Sequence, residues 1–109
     1  MDFDTYQELA SETAVYPVLG HPVVYPALGL NGEAGEVAEK IKKLMRDNQG
    51  VVTEDFRQSV AKELGDVLWY VAEVARQLEL SLSHIARLNL CKLASRAERN
   101  TLSGEGDNR

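Results

Sequence analysis

The chain is poor in the residues that build covalent or soft-metal sites. It has one cysteine, Cys91, and two histidines among 109 residues. A lone thiol excludes an intrachain disulfide and a four-cysteine zinc site. Cys91 lies in the apolar stretch LNLCKLA, which predicts a buried, unreactive thiol. No apolar run approaches the ~20 residues needed to cross a bilayer. The start, MDFDTYQEL, is acidic and lacks the basic and apolar regions of a signal peptide. Useful strand alternation, internal repeats and low-complexity tracts are also missing. Basic residues are outnumbered, 12 against 17, for a formal net charge of -5. That disfavours polymeric nucleic acid and anionic membranes as partners, since both prefer basic surfaces. A small phosphorylated ligand stays open if metal ions and a few local bases carry the contact. The expectation is a cytoplasmic, globular protein of one domain, residues 1–109.

What is present is helical periodicity. A first helix is predicted from an N-cap at Asp4, with Gln7 three residues on, to about Thr13. All three prolines then crowd into VYPVLGHPVVYP, which disfavours regular helix and exposes Tyr16, His21 and Tyr25 on a loop. Those aromatics serve either to bind a ligand or to cover a core edge. A second helix is predicted from Pro26, with Leu30, Ala34, Val37, Ile41, Leu44 and Met45 at helical spacing and RDNQG as its end. Thr53 is a good N-cap for a third, with Glu54 and Asp55 in the first turn. Its stripe is Phe56, Val60, Leu64, Val67, Val71, Val74 and Leu78. Ser81 or Ser83 caps a fourth, where Ile85, Leu88, Cys91 and Leu93 are the predicted buried positions. The same helix carries Asn89, Lys92, Arg96 and Arg99, either a phosphate-binding face or a basic end that complements the helix dipole. Residues from about 100 to 109 read as a flexible tail unless a ligand or partner orders them. The fold class is therefore all-α, four to five helices per chain. So apolar a pattern in so short a chain predicts that helices two and three pair with their copies in a four-helix bundle across two subunits.

The most telling residues are two acidic pairs, Glu33 with Glu36 and Glu63 with Asp66. At i, i+3 spacing each pair shares a helix face, ~5–6 Å apart at Cβ, where like charges repel by ~0.2–0.5 kcal/mol. The i+4 neighbours of Glu33, Glu63 and Asp66 are Val37, Val67 and Tyr70 rather than bases. Glu36 does have Lys40 at i+4, so an ordinary solvated face is the alternative. Each pair sits one residue before apolar positions, and so at the boundary between core and solvent. Four hard oxygen ligands meeting across a seam suit Mg²⁺ or Mn²⁺.

These residues also carry a resemblance. Glu33-Ala-Gly-Glu36, then Glu63-Leu-Gly-Asp66 running on into Val-Leu-Trp-Tyr70, are similar to the ExxE and ExxD motifs of the MazG-like branch of the all-α nucleoside triphosphate pyrophosphohydrolases. Lys92 and Arg96 in NLCKLASRAERN resemble that family's KxxxR phosphate-binding element, and GEGDNR resembles the tail of its short members. Many members carry two adjacent acids at the first motif, whereas here Gly32 precedes Glu33. The resemblance implies hydrolysis of a nucleoside triphosphate to the monophosphate and pyrophosphate, in the service of nucleotide-pool house-cleaning. It implies Mg²⁺ held by Glu33, Glu36, Glu63 and Asp66, and a homodimer or a homotetramer built as a dimer of dimers. Lys92 and Arg96 would hold the triphosphate, with Asn89, Tyr70, Arg99 and Arg109 as further substrate contacts.

Three other readings compete, one of them a phosphohydrolase of a different kind that acts on a phosphorylated nucleotide derivative through the same cage. A non-catalytic helical oligomerisation or nucleotide-binding module predicts no dependence on divalent ions. A ferritin-like di-iron bundle needs ExxH motifs, and here His84 lies five residues after Glu79. Trp69 and Tyr70 join Tyr16, His21 and Tyr25 as aromatics able to stack on a base, with a subunit interface as the alternative place for Trp69.

Overall fold

Three of the four helices begin where a short polar side chain accepts an otherwise unpaired amide. α1 spans Phe3–Ser11, and Asp2 accepts from the Thr5 amide. α3 spans Glu54–Gln77, and Thr53 accepts from the Phe56 amide. α4 spans Leu82–Glu98, and Ser81 accepts from the His84 amide. α2 spans Val24–Asn48 and has no side-chain cap. The computed structural model describes residues 1–109 and contains no strand, so the chain is all-α with four helices.

The cap of α1 is Asp2, not Asp4. Asp4 is instead spent across the fold, accepting from the Ser81 hydroxyl at 2.8 Å and the Ser83 amide at 3.1 Å. Those two donors hold its carboxyl below the usual range. Gln7 works beside it, accepting from the Leu82 amide at 3.1 Å and donating to the Leu80 carbonyl at 2.9 Å. The motif that reads as a capping box is thus the clamp between α1 and the start of α4. α2 starts at Val24, which leaves Pro26 in the first turn, where its missing N–H costs no bond. α2 ends with Gln49 in the left-handed region at φ 54 and the Gly50 amide reaching back to the Leu44 carbonyl at 3.1 Å.

α2 and α3 lie antiparallel: Gly29 meets Tyr70, while Glu33 meets Glu63 and Asp66. The α2 face turned to this seam is Leu30, Glu33, Val37, Lys40 and Leu44, all half-buried at three- and four-residue spacing. Ala34, Ile41 and Met45 of the predicted stripe face outward, with Met45 62% exposed. On α3, Phe56, Val60, Val67, Val71 and Val74 are half-buried, while Leu64 and Leu78 are exposed. The buried residues are few: Ala10, Pro26, Ala72, Glu73, Ala75, Leu82 and Arg96. α4 leans on α1 rather than on the α2–α3 pair. Cys91 is therefore exposed, contrary to the expectation of a buried thiol, and Leu88, Leu90 and Leu93 are exposed with it. The radius of gyration is 16.8 Å, against about 13 Å for a close-packed chain of this length.

Candidate active site

Helix periodicity sets the site. Tyr25, Gly29 and Glu33 follow one another at four-residue steps on α2. Glu63, Asp66, Tyr70, Glu73 and Gln77 follow at three- and four-residue steps on α3. With the helices antiparallel, these two rows face each other in layers.

The first layer is acidic. Glu33, Glu63 and Asp66 each bring a carboxylate oxygen within 4.8 Å of the others. The sole cation in salt-bridge reach of the three is Lys40, whose Nζ lies 3.7 Å from Glu63. Burial pushes the Glu33 carboxyl above its usual range; the charge of Asp66, a hydrogen bond with Glu63 and the charges of Glu63 and Glu36 push the same way. Glu36 is exposed one turn along and outside the converged trio. The three oxygens form a hard-donor set whose mutual repulsion a divalent ion would relieve, so the residues present fit Mg²⁺ or Mn²⁺.

The second layer is Gly29 against Tyr70. A β-carbon on Gly29 would sit 2.3 Å from the Tyr70 ring, so only glycine lets that ring lie on α2 one turn from Glu33. Burial raises the Tyr70 hydroxyl's pKa, and the charges of Tyr25, Glu33 and Asp66 raise it further.

The third layer is aromatic and anchored. Tyr16 stacks on Tyr25, ring centroids 5.3 Å apart and 9° between planes. Trp69 meets Tyr16 edge-on at 6.3 Å and Tyr70 edge-on at 5.0 Å. Its indole N–H donates to the Ala10 carbonyl at 3.0 Å and the Thr13 hydroxyl at 3.2 Å. Trp69 thus joins α1 to α3 inside one chain. His21 is exposed, its Nδ1 accepting from the Val23 amide at 3.0 Å, and takes no part in the stack.

Beneath the stack lies a carboxylate that sequence reasoning passed over. Glu73 is 0% exposed. It accepts from the Tyr16 hydroxyl at 2.8 Å and from Arg76 twice, at 2.9 and 2.7 Å. Gln77 donates to the Tyr16 oxygen at 2.7 Å. Burial pushes the Glu73 carboxyl up, but the hydrogen bonds from Arg76 and Tyr16 outweigh it and leave it below the usual range. The spacing 63–66–70–73–77 is the signal that could have found it.

The expected substrate contacts on α4 lie apart from the acids. Lys92 donates to Asp107 at 2.7 Å, and the buried Arg96 reaches the same carboxylate at 3.2 Å and the Asp107 carbonyl. Arg99 donates to the Arg109 main-chain oxygen, while Arg109 donates to the carbonyls of Thr101, Leu102 and Gly106. Asn89 is exposed on the same stripe of α4. The tail therefore lies along the end of α4, held by the bases expected to take phosphate.

Comparison with known proteins places the chain in a family. A profile of the MazG nucleotide pyrophosphohydrolase domain fits residues 26–100, a span that holds all four acids with Lys92 and Arg96. The chain belongs to the MazG family. Gene 37 protein of Mycobacterium phage L5 is 48% identical over a 114-residue alignment that covers 100% of both chains. No solved structure matches. The MazG match begins at Pro26, so α1 and the Tyr16 loop lie outside it, whereas the relative spans them. No helix is long and apolar enough to cross a membrane.

Proposed function

We propose that this MazG protein hydrolyses nucleoside or deoxynucleoside triphosphates to the monophosphate and pyrophosphate, removing unwanted nucleotides. The observation that carries the reading is the convergence of Glu33, Glu63 and Asp66 with a single lysine beside them. A helix that only had to fold would have no use for that repulsion. Glu33, Glu63 and Asp66 would hold Mg²⁺ or Mn²⁺, with Glu36 completing the set from the adjoining turn. When bound, the ion neutralises phosphate oxygens and lowers the pKa of a coordinated water. A carboxylate of the set, Glu36 or Glu63, would orient a water for attack on phosphorus. Lys92 and Arg96 hold the triphosphate, one as a point charge and the other as a bidentate fork. Arg99, Arg109 and Asn89 extend that cradle, and Tyr70 borders it from α3.

Two features support assembly as a homodimer or homotetramer. Ala34, Ile41 and Met45 on α2 and Leu64 on α3 leave apolar surface uncovered, and α4 carries Leu88 and Leu90 exposed. Burying such surface yields ~25 cal/mol per Å². Within one chain, moreover, Lys92 and Arg96 make their ion pairs with Asp107 and none with the acids, so a second subunit is the natural source of the missing cations.

The test is pyrophosphate release from a panel of triphosphates with Mg²⁺ or with EDTA, for the wild type and Glu63→Ala. Metal-dependent release with monophosphate as co-product, lost in the variant, is the expected result. If every triphosphate survives while the protein stays folded and oligomeric, the chain is a helical oligomerisation module instead.

A further inference from the structure

The proposed reaction uses the acidic layer and leaves Glu73 without a part. Glu73 is nevertheless the costlier group to have placed. An ionised carboxylate with no exposed surface is maintained only by full pairing, and an apolar residue of similar size would have packed there at less cost. What the carboxylate supplies and an apolar side chain would not is a fixed direction for the Tyr16 hydroxyl. Tyr16 needs that. It sits in the irregular, proline-containing segment between α1 and α2, outside either helix's hydrogen-bond ladder. Its hydroxyl donates to Glu73 and accepts from Gln77, so both its proton and a lone pair are committed.

The consequence passes along the layers. A held Tyr16 ring gives Tyr25 its stacking partner, and Tyr25 stands two helical turns from Glu33 on the same face of α2. Tyr70 fills the layer between, seated on Gly29. From the acids the seam therefore runs in one direction over tyrosine rings and in the other over Lys40 and Leu44. A triphosphate anchored at the acids that lays its base and sugar along the first of these meets a cluster of tyrosine rings, whereas the second offers the single half-buried ring of Phe56.

We infer that Glu73 is a positioning residue for nucleotide recognition: through Tyr16 it fixes Tyr25 and Tyr70 as the wall that holds the nucleoside end of the substrate. This rests on the proposed reaction, and it adds the distinction between a nucleotide and its bare phosphate chain.

The probes are a non-hydrolysable deoxynucleoside triphosphate and inorganic tripolyphosphate, each titrated calorimetrically with Mg²⁺ into wild type, Tyr16→Phe and Glu73→Gln. Tyr16→Phe keeps the ring and the Glu73–Arg76 pair, so the fold survives. It should weaken the nucleotide about fivefold to tenfold, part of the value of one base–aromatic stack. Tripolyphosphate should stay within about twofold, and kcat at saturation likewise, because the acids are untouched. Glu73→Gln keeps an acceptor oxygen for Tyr16 and should retain most of the nucleotide affinity. Equal weakening of both probes, or of neither, overturns the inference and leaves the reaction standing. A wild type that binds neither probe and releases no pyrophosphate removes the reaction, and this inference with it.

Discussion

One face of α3 carries a row of carboxylates from mid-helix to its last turns, and the fold treats the two ends of that row in opposite ways. At the C-terminal end Glu73 is enclosed and has a donor for each oxygen. At the N-terminal end Glu63 and Asp66 face Glu33 across the seam with one lysine at 3.7 Å. Burial pushes Glu73 and Glu33 the same way, upward; hydrogen bonds from Arg76 and Tyr16 reverse it for Glu73, while neighbouring acids reinforce it for Glu33. A chain able to pair a buried carboxylate so completely did not lack the means to pair two half-buried ones and the exposed Asp66. The unpaired end is the one suited to a divalent ion, and the paired end is the one suited to holding a shape.

The largest expected effect comes from breaking the unpaired end. Glu63→Ala should lower Mg²⁺-dependent pyrophosphate release by more than the ~10–100-fold that loss of an outer-shell partner costs a metal site. Its melting temperature without metal should hold or rise, since a repulsive charge has gone. Breaking the paired end should do the reverse. Arg76→Ala leaves the enclosed Glu73 charge with Tyr16 alone. It should cost about 2 kcal/mol in chemical denaturation, less than the ~3–5 of a fully buried pair because the arginine is partly solvated, while the folded fraction stays active.

The comparison sharpens with pH, since the two ends carry opposite signs. Glu73 has its carboxyl lowered below the ordinary 4.5, so its contribution is present above that value and lost as the pH falls through its native pKa. Glu33 has its carboxyl raised above 4.5, so the folded state favours its proton, and its contribution is present below 4.5 and lost as the pH rises. Melting curves of the metal-free protein should show both. Glu33→Gln should raise the melting temperature at pH 7 by about 1–4 °C, the equivalent of one like-charge pair, and leave it unchanged at pH 4. Glu73→Gln should lower it at pH 7, by an amount that shrinks towards acid. Mg²⁺ should stabilise the wild type at pH 7 by mass action and leave Glu63→Ala unmoved.

How much of this was readable beforehand differs by residue type. Periodicity located all four helices, and Thr53 and Ser81 mark two starts because a cap is a local interaction between neighbours. Asp4 misled for the opposite reason: its partners, Ser81 and Ser83, lie in the fourth helix, and no local pattern announces a bond across the chain. The acid pairs were visible because two motifs repeat one spacing. Glu73 was not, because a single acid between Ala72 and Val74 reads as a solvated position until its partners in the loop and on its own helix are known. Cys91 and Leu88 were expected inside because helical spacing identifies a face but not what covers it.

The smallest expected effect concerns the tail. Asp107 is shared by Lys92 and Arg96, and the hydrogen bond from Lys92, then its charge and that of Arg96, hold the carboxyl below its usual range. One carboxylate between two bases neutralises half their charge. Asp107→Asn adds one net positive charge at the proposed phosphate cradle and removes two ion pairs, to half-buried Lys92 and buried Arg96, whose shared carboxylate is 75% exposed. A carboxylate so open to solvent contributes little to stability, and Arg96 keeps its bond to the Asp107 carbonyl, so the melting temperature should move only slightly. Tripolyphosphate should bind about two- to threefold tighter at low salt, with the gain gone once ~1 M salt shortens the screening length to ~3 Å. If Asp107→Asn instead weakens tripolyphosphate, Asp107 serves to hold Lys92 and Arg96 together, and the tail belongs to the paired, shape-holding part of the molecule along with Glu73.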